Sequence, residues 1–343
     1  MIIKKQLFGT IPNGKEVYKY LLRNNHGMEV EVITYGAIIT SIRVQDKYNK
    51  IGDVVLGFDR LEEYLGSHPY FGAMVGRVCN RIGNSRFELE GKMYHLTSNE
   101  GKNQLHGGMR GFDKQLWTAQ PENSPGQVSL KLHYESQDGE EGYPGALTVE
   151  VEYSLNDLCE LRINCKAKTD KPTHVNLTNH SYFNLNNCEG TILDHELLID
   201  ADQVTELDAE SIPTGKILTV DSTPYDFRIT RPIGERIAEV EPGFDINYVL
   251  DMNSRELTKA AVVYDPDSGR TMEVFTTLPG IQLYTSNYIT GIVGKGGKRY
   301  HKHSAVCLET QYFPDSANKP SFPSTVVYPG KEFSEQTLYR FSK

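Results

Sequence analysis

The sequence predicts an all-β protein, a large antiparallel β-sandwich with few short helices, on the strength of three observations. Apolar and polar residues alternate almost everywhere with a period of two, which places side chains on alternate faces of a strand. A helical period is confined to residues 60–65. The chain also contains 30 glycines and 16 prolines at close intervals, as turns between antiparallel strands require.

The clearest strands are predicted to pair as hairpins. Residues 147–153 and 161–168 alternate on either side of a polar turn at Asn156-Asp157, while 87–89 and 92–94 flank a tight turn at Glu90-Gly91. Further strands are expected at residues 128–134, 28–33, 38–44, 196–200, 260–264, 271–276, 281–285, 305–309 and 336–341.

Length and composition favour a single domain that spans residues 1–343. No shift of composition, low-complexity tract or internal repeat divides the chain, and 343 residues are ample for a substantial core. A net charge of −9 argues against a nucleic-acid-binding protein, which would carry a basic face. Because no run of about 18 apolar residues occurs, we expect no membrane span.

The cysteines and the N-terminal sequence favour the cytoplasm. The first residues lack the apolar core and the cleavage site of a signal peptide. The 5 cysteines are scattered, odd in number and without a Cys-x-x-Cys pair, so we expect reduced and mostly buried thiols. They are Cys79, Cys159, Cys165, Cys188 and Cys307.

The segment richest in chemistry is residues 178–185, Thr-Asn-His-Ser-Tyr-Phe-Asn-Leu. An imidazole beside hydroxyl groups suits a polar cleft in which protons move. A lone histidine is more often a buried structural residue, so the interpretation depends on the segments that accompany it. The β-forming residues predict a strand whose side chains alternate, with Thr178, His180 and Tyr182 on one face and Asn179, Ser181 and Phe183 on the other.

Two further segments offer polar groups that suit a ligand. Arg77, Asn80 and Arg81 lie close together, and the rigid fork of arginine suits bidentate binding of vicinal oxygens or carboxylates. Two arginines in surface salt bridges fit the same pattern equally well. His106 is followed by two glycines, which would leave the backbone open to a ligand. The alternative is a turn histidine without a functional role.

Two acidic residues complete the set. Asp245 lies in the segment 242–248 among aromatic and amide residues, a mixture that sugar sites use to bind hydroxyls and cover the ring. An aspartate that caps its own turn is the alternative. Glu309 ends the apolar run 305–309, where burial would raise its pKa towards the range of a general base. A structural ion pair would give the same pattern.

No group of residues has the spacing of a metal or phosphate site. His301 and His303 could share one face of a strand, but a third ligand is not evident nearby. We therefore expect neither a metal nor a cofactor.

Taken in order, these segments resemble the aldose 1-epimerases, the galactose mutarotases. The resemblance runs from about residue 35 to the C-terminus. The motifs that carry it are Asn80-Arg81-Ile82, Leu105-His106-Gly107-Gly108, residues 176–185, Pro224-Tyr225-Asp226-Phe227-Arg228, residues 243–248, Tyr284-Thr285-Ser286-Asn287, Leu308-Glu309-Thr310-Gln311 and Phe313-Pro314-Asp315-Ser316.

The resemblance implies the galactose mutarotase-like supersandwich and interconversion of the anomers of a free hexose. It places Glu309 at the general base and His180 at the general acid, whereas chemistry alone would allow the reverse. The sugar-binding positions implied by the resemblance are Arg81, Asn80, His106, Asp245 and Gln282. Val78-Cys79 and Ile246 depart from the residues that the family often has, which bears on substrate preference rather than on the reaction.

Acid–base chemistry agrees with that function. Mutarotation needs the anomeric hydroxyl deprotonated while the ring oxygen is protonated, so that the C1–O5 bond breaks and the open aldehyde turns about C1–C2. One carboxylate and one imidazole suffice, and pKa values near neutrality would let them exchange protons. His106 and Arg81 would stabilise charge on the ring oxygen.

Other functions account for fewer of these residues. A sugar-phosphate 1-epimerase would need extra cations beside the motif loops, and a non-catalytic carbohydrate-binding protein would need neither Glu309 nor His180. A glycosidase would use two carboxylates that flank the bond, whereas a histidine accompanies Glu309 and Asp245 here. We therefore expect an enzyme, an isomerase acting on a small-molecule aldose, as a monomer or homodimer.

Overall fold

Antiparallel strands make up most of the regular secondary structure of this chain, whose computed structural model describes residues 1–250 and 256–343. The strands in the first half are β1 (Ile2–Thr10), β2 (Glu16–Arg23), β3 (Glu29–Ile33), β4 (Ile39–Gln45), β5 (Ile51–Asp53), β6 (Met74–Val75), β7 (Arg81–Ile82), β8 (Arg86–Leu89), β9 (Lys92–His95), β10 (Gln104–Leu105), β11 (Thr118–Ser124), β12 (Gln127–Ser136), β13 (Leu147–Asn156) and β14 (Glu160–Thr169). Those in the second half are β15 (Thr173–His174), β16 (Thr178–Asn179), β17 (Glu196–Ile199), β18 (Gln203–Leu207), β19 (Pro213–Thr219), β20 (Arg231–Pro232), β21 (Asp245–Val249), β22 (Thr258–Tyr264), β23 (Thr271–Thr276), β24 (Gly280–Tyr284), β25 (Ile292–Val293), β26 (Arg299–Tyr300), β27 (Cys307–Gln311), β28 (Val326–Val327) and β29 (Glu332–Ser342).

The helices of the described residues are short. The α-helix α1 (Leu61–Leu65) begins after Arg60, whose backbone N–H donates to the Glu63 carboxylate, so the predicted helical segment is confirmed. No helix in the described part of the chain is long and apolar enough to cross a membrane. The 3₁₀ turns are Gly83–Ser85, Phe112–Lys114, Glu140–Gly142, Ile233–Glu239, Lys295–Gly297 and Ser316–Asn318.

Three sheets make up the body of the sandwich. A 9-stranded sheet has the order β11-β12-β13-β14-β29-β23-β22-β17-β20, and two 5-stranded sheets have the orders β1-β2-β3-β4-β5 and β19-β18-β21-β24-β27. We call the last of these the site sheet, because it carries Asp245 and Glu309. The all-β prediction is confirmed. Each predicted strand outside residues 178–183 is present, with the largest shift of bounds at the C-terminal β29.

One hydrophobic cluster receives side chains from all three sheets. Val32 comes from the first 5-stranded sheet, Val151 and Tyr339 from the 9-stranded sheet, and Leu283 from the site sheet. Because strand residues alternate between faces, a site sheet that buries one face in this core presents its other face elsewhere. That second face forms the wall described below.

Candidate active site

The register of the site sheet separates a polar face from an apolar one. Asp245 lies opposite Tyr284 on the neighbouring strand, and Gln282 lies opposite Glu309. Residues opposite each other in an antiparallel pair share a face, so these side chains share one face of the sheet. The sequence suggested that Glu309 ends a strand, whereas in the structure it is the central residue of β27. The intervening side chains, Ile246, Tyr248, Ile281, Leu283 and Leu308, lie in the core.

The segment that carries His180 is not the continuous strand that the sequence predicted. Only Thr178–Asn179 pairs as a strand, with β6, because the following residues bond to several different segments. The His180 N–H donates to the Ala73 carbonyl, and Phe183 bridges to both Val55 and Val306. The period of two nevertheless persists, since the Tyr182 ring stacks against the His180 ring with centroids 4.9 Å apart.

Glu309 and His180 meet at the wall of a cavity of about 200 Å³. Glu309 Oε1 lies 3.7 Å from His180 Nε2, and both residues are buried. Glu309 Oε2 and His180 Nδ1 have no hydrogen-bond partner among the described residues. Two buried polar groups with spare capacity are costly in an empty site, so the pair is suited to a polar ligand.

Burial moves the protonation equilibria of this pair towards the neutral forms. Loss of solvent raises the pKa of the Glu309 carboxyl well above its usual value, and the nearby Asp245 adds to this effect. Loss of solvent lowers the pKa of His180 to about 3. Burial therefore favours a neutral carboxyl on Glu309 and a neutral imidazole on His180.

His106 is clamped by the backbone of Asn80. The backbone N–H of Asn80 donates to the ring Nδ1 of His106 at 3.2 Å, and the backbone N–H of His106 donates to the Asn80 carbonyl at 2.9 Å. An acceptor at Nδ1 of a neutral imidazole leaves the proton on Nε2, so His106 presents an N–H donor. Burial lowers the pKa of His106 well below its usual value, which keeps the ring neutral. Asn80 has φ +58°, a conformation that asparagine tolerates better than most residues.

The tautomer of His106 also bears on whether His106, His180 and Glu309 could bind a metal ion. The donor atoms of His106, His180 and Glu309 all lie within 4.8 Å of one another. A metal ligand needs a lone pair at Nε2, whereas the Asn80 N–H holds His106 with its proton there. In this tautomer His106 offers a hydrogen-bond donor at Nε2 rather than a lone pair for an ion.

Arg81 joins two carboxylates at another part of the cavity. Its Nε lies 2.6 Å from Glu100 Oε2, and one of its terminal nitrogens lies 3.8 Å from Asp245 Oδ2. Gln282 lies behind this pair, where its Nε2 donates to Asp245 Oδ1 at 2.6 Å and its Oε1 accepts from Gln311. Burial raises the pKa of Asp245, and Arg81 opposes that effect. Asp245 is thus held by a hydrogen bond from Gln282 and an ion pair with Arg81, rather than capping its own turn.

The structure corrects two readings of these loops. Arg77 is neither a ligand-binding fork nor a surface residue, because it is buried and donates to the carbonyls of Pro144 and Gly145. The glycines after His106 serve the packing of the chain itself. A Cβ at Gly107 would lie 1.8 Å from the Gly76 carbonyl oxygen, and one at Gly108 would lie 2.2 Å from a Glu141 oxygen.

Aromatic residues and Glu100 complete the cavity wall, and the sequence did not single them out. Tyr182 and Tyr284 lie within the motifs quoted above, while Tyr70 and Glu100 carry no sequence signal of their own. The aromatic residues of the 242–248 segment lie in the core instead, and Ile246 also faces away from the cavity. The cavity is lined by Pro69, Tyr70, Asn80, Arg81, Glu100, Leu105, His106, His180, Tyr182, Asp245, Tyr284, Tyr288 and Glu309.

Together, fold and cavity define a class of protein, a β-sandwich that holds a buried carboxyl–imidazole pair at the wall of a small polar cavity. The chain belongs to the aldose 1-epimerase family, whose family model matches residues 18–340. The family resemblance of the motifs is thereby confirmed.

Several relatives match this chain over nearly its full length. It is 46% identical to a galactose mutarotase of Rattus norvegicus, with 99% of this chain and 98% of the relative covered. It is 35% identical to an aldose 1-epimerase of Escherichia coli K12, with 96% of each covered. The crystal structure of an aldose epimerase homologue from C. elegans superposes with a TM-score of 0.87 at 31% identity, covering 94% of this chain and 98% of that one.

Proposed function

We propose that this protein is an aldose 1-epimerase, an isomerase that interconverts the α and β anomers of free hexoses such as galactose and glucose. The observation that carries the proposal is the buried Glu309–His180 pair, which lines the cavity and retains one unpartnered atom on each residue. The names of the relatives, galactose mutarotase and aldose 1-epimerase, agree with it. We also propose that residues 1–343 act as one domain, because a single core cluster receives side chains from all three sheets.

The proposed catalytic cycle moves two protons and breaks one bond. Glu309 takes the proton of the anomeric hydroxyl while protonated His180 gives one to the ring oxygen O5. The electrons of the C1–O5 bond pass to O5, and a carbonyl forms at C1. After rotation about C1–C2, O5 attacks the other face of the carbonyl, returns its proton to His180, and the new anomeric oxygen takes the proton from Glu309.

Sugar binding would prepare the pair for this step. A sugar hydroxyl that donates to Glu309 favours its charged form, and a ring oxygen that accepts from His180 favours the protonated imidazole. Transfer of the Glu309 proton to His180 would then produce the charged pair, and no proton is gained or lost overall. Each positioned acid or base contributes roughly 10²–10⁴-fold.

The remaining polar residues would bind and orient the sugar. The fixed Nε2–H of His106 and the Arg81 guanidinium are donors for sugar oxygens, with His106 close to the reacting atoms because its ring centroid lies 5.1 Å from that of His180. Asp245 and the Asn80 amide, which line the cavity, are proposed to bind hydroxyls, and Gln282 to support Asp245 from behind.

The site argues against a sugar phosphate as substrate. Arg81 carries the fixed positive charge among the lining residues, and it is already engaged by Glu100 and Asp245. A phosphate placed there would meet two carboxylates rather than free cations. We further propose a cytoplasmic monomer or homodimer, which localisation of a tagged protein and light scattering would test.

Polarimetry tests the proposed function directly. We expect the wild-type protein to speed the relaxation of fresh α-D-galactose, while Glu309→Gln and His180→Asn each lose roughly 10²–10⁴-fold in kcat. A second histidine–glutamate pair offers a matched control, since His133 Nδ1 lies 3.6 Å from Glu150 Oε2 outside the cavity. The variants Glu150→Gln and His133→Asn should behave as wild type.

Three results would overturn the proposal or part of it. A wild-type protein without effect on galactose, glucose, xylose or arabinose would exclude a free-aldose epimerase, and sugar phosphates would be tried next. Binding of sugar without any change in relaxation rate would instead indicate a non-catalytic carbohydrate-binding protein. Folded Glu309→Gln and His180→Asn variants with full activity would exclude these two residues as the acid–base pair.

A further inference from the structure

Tyr70 lies in a turn that is hydrogen-bonded to the backbone of His180. The His180 N–H donates to the Ala73 carbonyl at 2.8 Å, and the Gly72 N–H donates to the His180 carbonyl at 2.9 Å. Tyr70 itself has φ +59°, a left-handed conformation that is rare for an aromatic residue. Such strain persists where the surrounding structure fixes it, and it is frequent at functional sites.

The Tyr70 ring contacts both imidazoles of the cavity. Its centroid lies 4.6 Å from that of His106 and 5.9 Å from that of His180, and its plane is within 11° of the His180 plane. The Tyr182 ring is also near-parallel to His180, with centroids 4.9 Å apart and planes 6° apart. A rotation of the His180 ring would drive its edge into these two phenol rings, so they fix its orientation.

We propose that Tyr70 is a positioning residue for proton transfer, whose ring acts with that of Tyr182 to hold the His180 imidazole with Nε2 towards Glu309. This inference rests on the proposed function, because it assigns a role to Tyr70 within that reaction. It does not require the Tyr70 hydroxyl, since the contacts are made by the ring faces.

The electrostatic surroundings of His180 agree with this role. The ionisable groups near it are Glu309 across the cavity wall, His106, the more distant His68, and the phenols of Tyr70, Tyr182 and Tyr284. Exclusion of water is the largest cause that lowers the pKa of His180, and His68 lowers it further. Removal of the Tyr70 ring would admit water, so the pKa of His180 would rise towards its ordinary value.

Two substitutions separate the ring from the hydroxyl. Tyr70→Phe keeps the ring, whereas Tyr70→Asn removes it and introduces a residue that tolerates positive φ. We expect Tyr70→Phe to retain far more of the wild-type kcat than Tyr70→Asn in polarimetry with galactose. We expect Tyr70→Asn to lose roughly 10- to 100-fold in kcat with little change in KM, the effect of a misplaced catalytic group. Its acid limb of kcat/KM against pH should move to higher pH. Tyr48→Ala, at an exposed tyrosine outside the cavity, is the control that should change neither.

Each outcome decides the inference. Tyr70→Asn with the wild-type kcat, or with a lower kcat but an unmoved acid limb, would overturn it. So would an equal loss in Tyr70→Phe, because the hydroxyl would then be the important group. An inactive wild-type protein would overturn the proposed function together with this inference, whereas an active wild type with an unaffected Tyr70→Asn would overturn the inference alone.

Discussion

Two buried histidine–carboxylate pairs among the described residues have nearly equal lengths, and we propose a catalytic role for only one of them. His180 Nε2 and Glu309 Oε1 are 3.7 Å apart, and His195 Nδ1 and Asp265 Oδ1 are 3.8 Å apart. Burial lowers the pKa of both histidines. Distance, burial and charge type therefore do not distinguish the proposed catalytic pair from the other pair.

The two pairs differ in what their remaining atoms do. His195 Nε2 accepts a hydrogen bond from the Leu185 N–H at 3.0 Å, and Asp265 Oδ2 accepts one from the Ser268 N–H at 3.0 Å. In contrast, His180 Nδ1 and Glu309 Oε2 have no partner in the described part of the chain. A pair whose capacity is used by the backbone stabilises the fold, whereas a pair with unused capacity beside a cavity can act on a ligand.

The largest expected effect comes from substituting one member of each pair. Glu309→Gln should lose roughly 10²–10⁴-fold in kcat while its unfolding midpoint stays near that of wild type, because the amide resembles the neutral carboxyl that burial favours. His195→Ala should leave the kcat of the folded protein unchanged but cost about 3 kcal/mol, since it creates a cavity and leaves the Leu185 N–H unpaired.

Polarimetry and urea denaturation of the same samples measure both quantities. The comparison fails if His195→Ala loses activity without losing stability, or if Glu309→Gln unfolds as readily as His195→Ala.

Buried histidines outside the cavity should also lower the free energy of unfolding in acid, over a pH range in which kcat/KM does not change. His174 is buried, and burial lowers its pKa to about 4. Because its pKa is lowered in the folded protein, His174 binds a proton at higher pH in the unfolded chain than in the folded one. The stability that neutral His174 contributes is therefore fully present above pH 6.5 and is lost as the pH falls to 4. His174 alone accounts for about 3 kcal/mol of that fall, at 1.36 kcal/mol per pKa unit.

Urea denaturation at a series of pH values measures how the free energy of unfolding changes with pH. His174→Gln should make the dependence of the free energy of unfolding on pH shallower between pH 6.5 and 4. Meanwhile kcat/KM should stay level over the same range, because burial lowers the pKa of His180 to about 3, which lies below that range. An unchanged slope in His174→Gln would contradict the assignment.

The contrast between the pairs also shows which strands and which site residues can be predicted from the sequence. The alternation along 147–168 predicted the β13–β14 hairpin correctly, since a two-residue period is a local property. The strands β1 and β2 were not predicted, because most side chains of β1 are exposed and its apolar pattern is weak. His180 and Glu309 are residue types that signal proton transfer, and the structure brings them together, whereas His195 gave no signal to separate it from them.

The missing parts of the site are those that depend on distant segments. Tyr70 reaches the cavity only because its turn bonds to the backbone of His180, a contact between positions far apart in the sequence. Glu100 is in the wall because it pairs with Arg81. Such pairings depend on tertiary structure, and neither residue type nor spacing reveals them.

A smaller effect would test whether the Asn80 backbone sets the tautomer of His106. Asn80→Gly and Asn80→Ala both remove the amide, but alanine in the left-handed region costs roughly 1–2 kcal/mol more than glycine. We expect Asn80→Ala to have about tenfold lower kcat/KM than Asn80→Gly, which corresponds to about 1.4 kcal/mol. The nitrogen-15 shifts of His106 should report a proton on Nε2 in wild type and in Asn80→Gly. Equal activity of the two variants would show that the backbone conformation at Asn80 does not matter.

The smallest effect concerns Gln282, which neither lines the cavity nor belongs to a structural pair. Its amide donates to Asp245, so Gln282→Leu should leave Asp245 less well held and raise KM about fivefold, the value of about 1 kcal/mol for one hydrogen bond. Gln120→Leu, at an exposed glutamine of β11, is the matched control. A double-mutant cycle then separates two routes. If Gln282 acts through Asp245, Gln282→Leu should cost nothing further in an Asp245→Asn background. If the two losses add in full, Gln282 acts independently of Asp245. A direct contact between Gln282 and the sugar would then explain the higher KM.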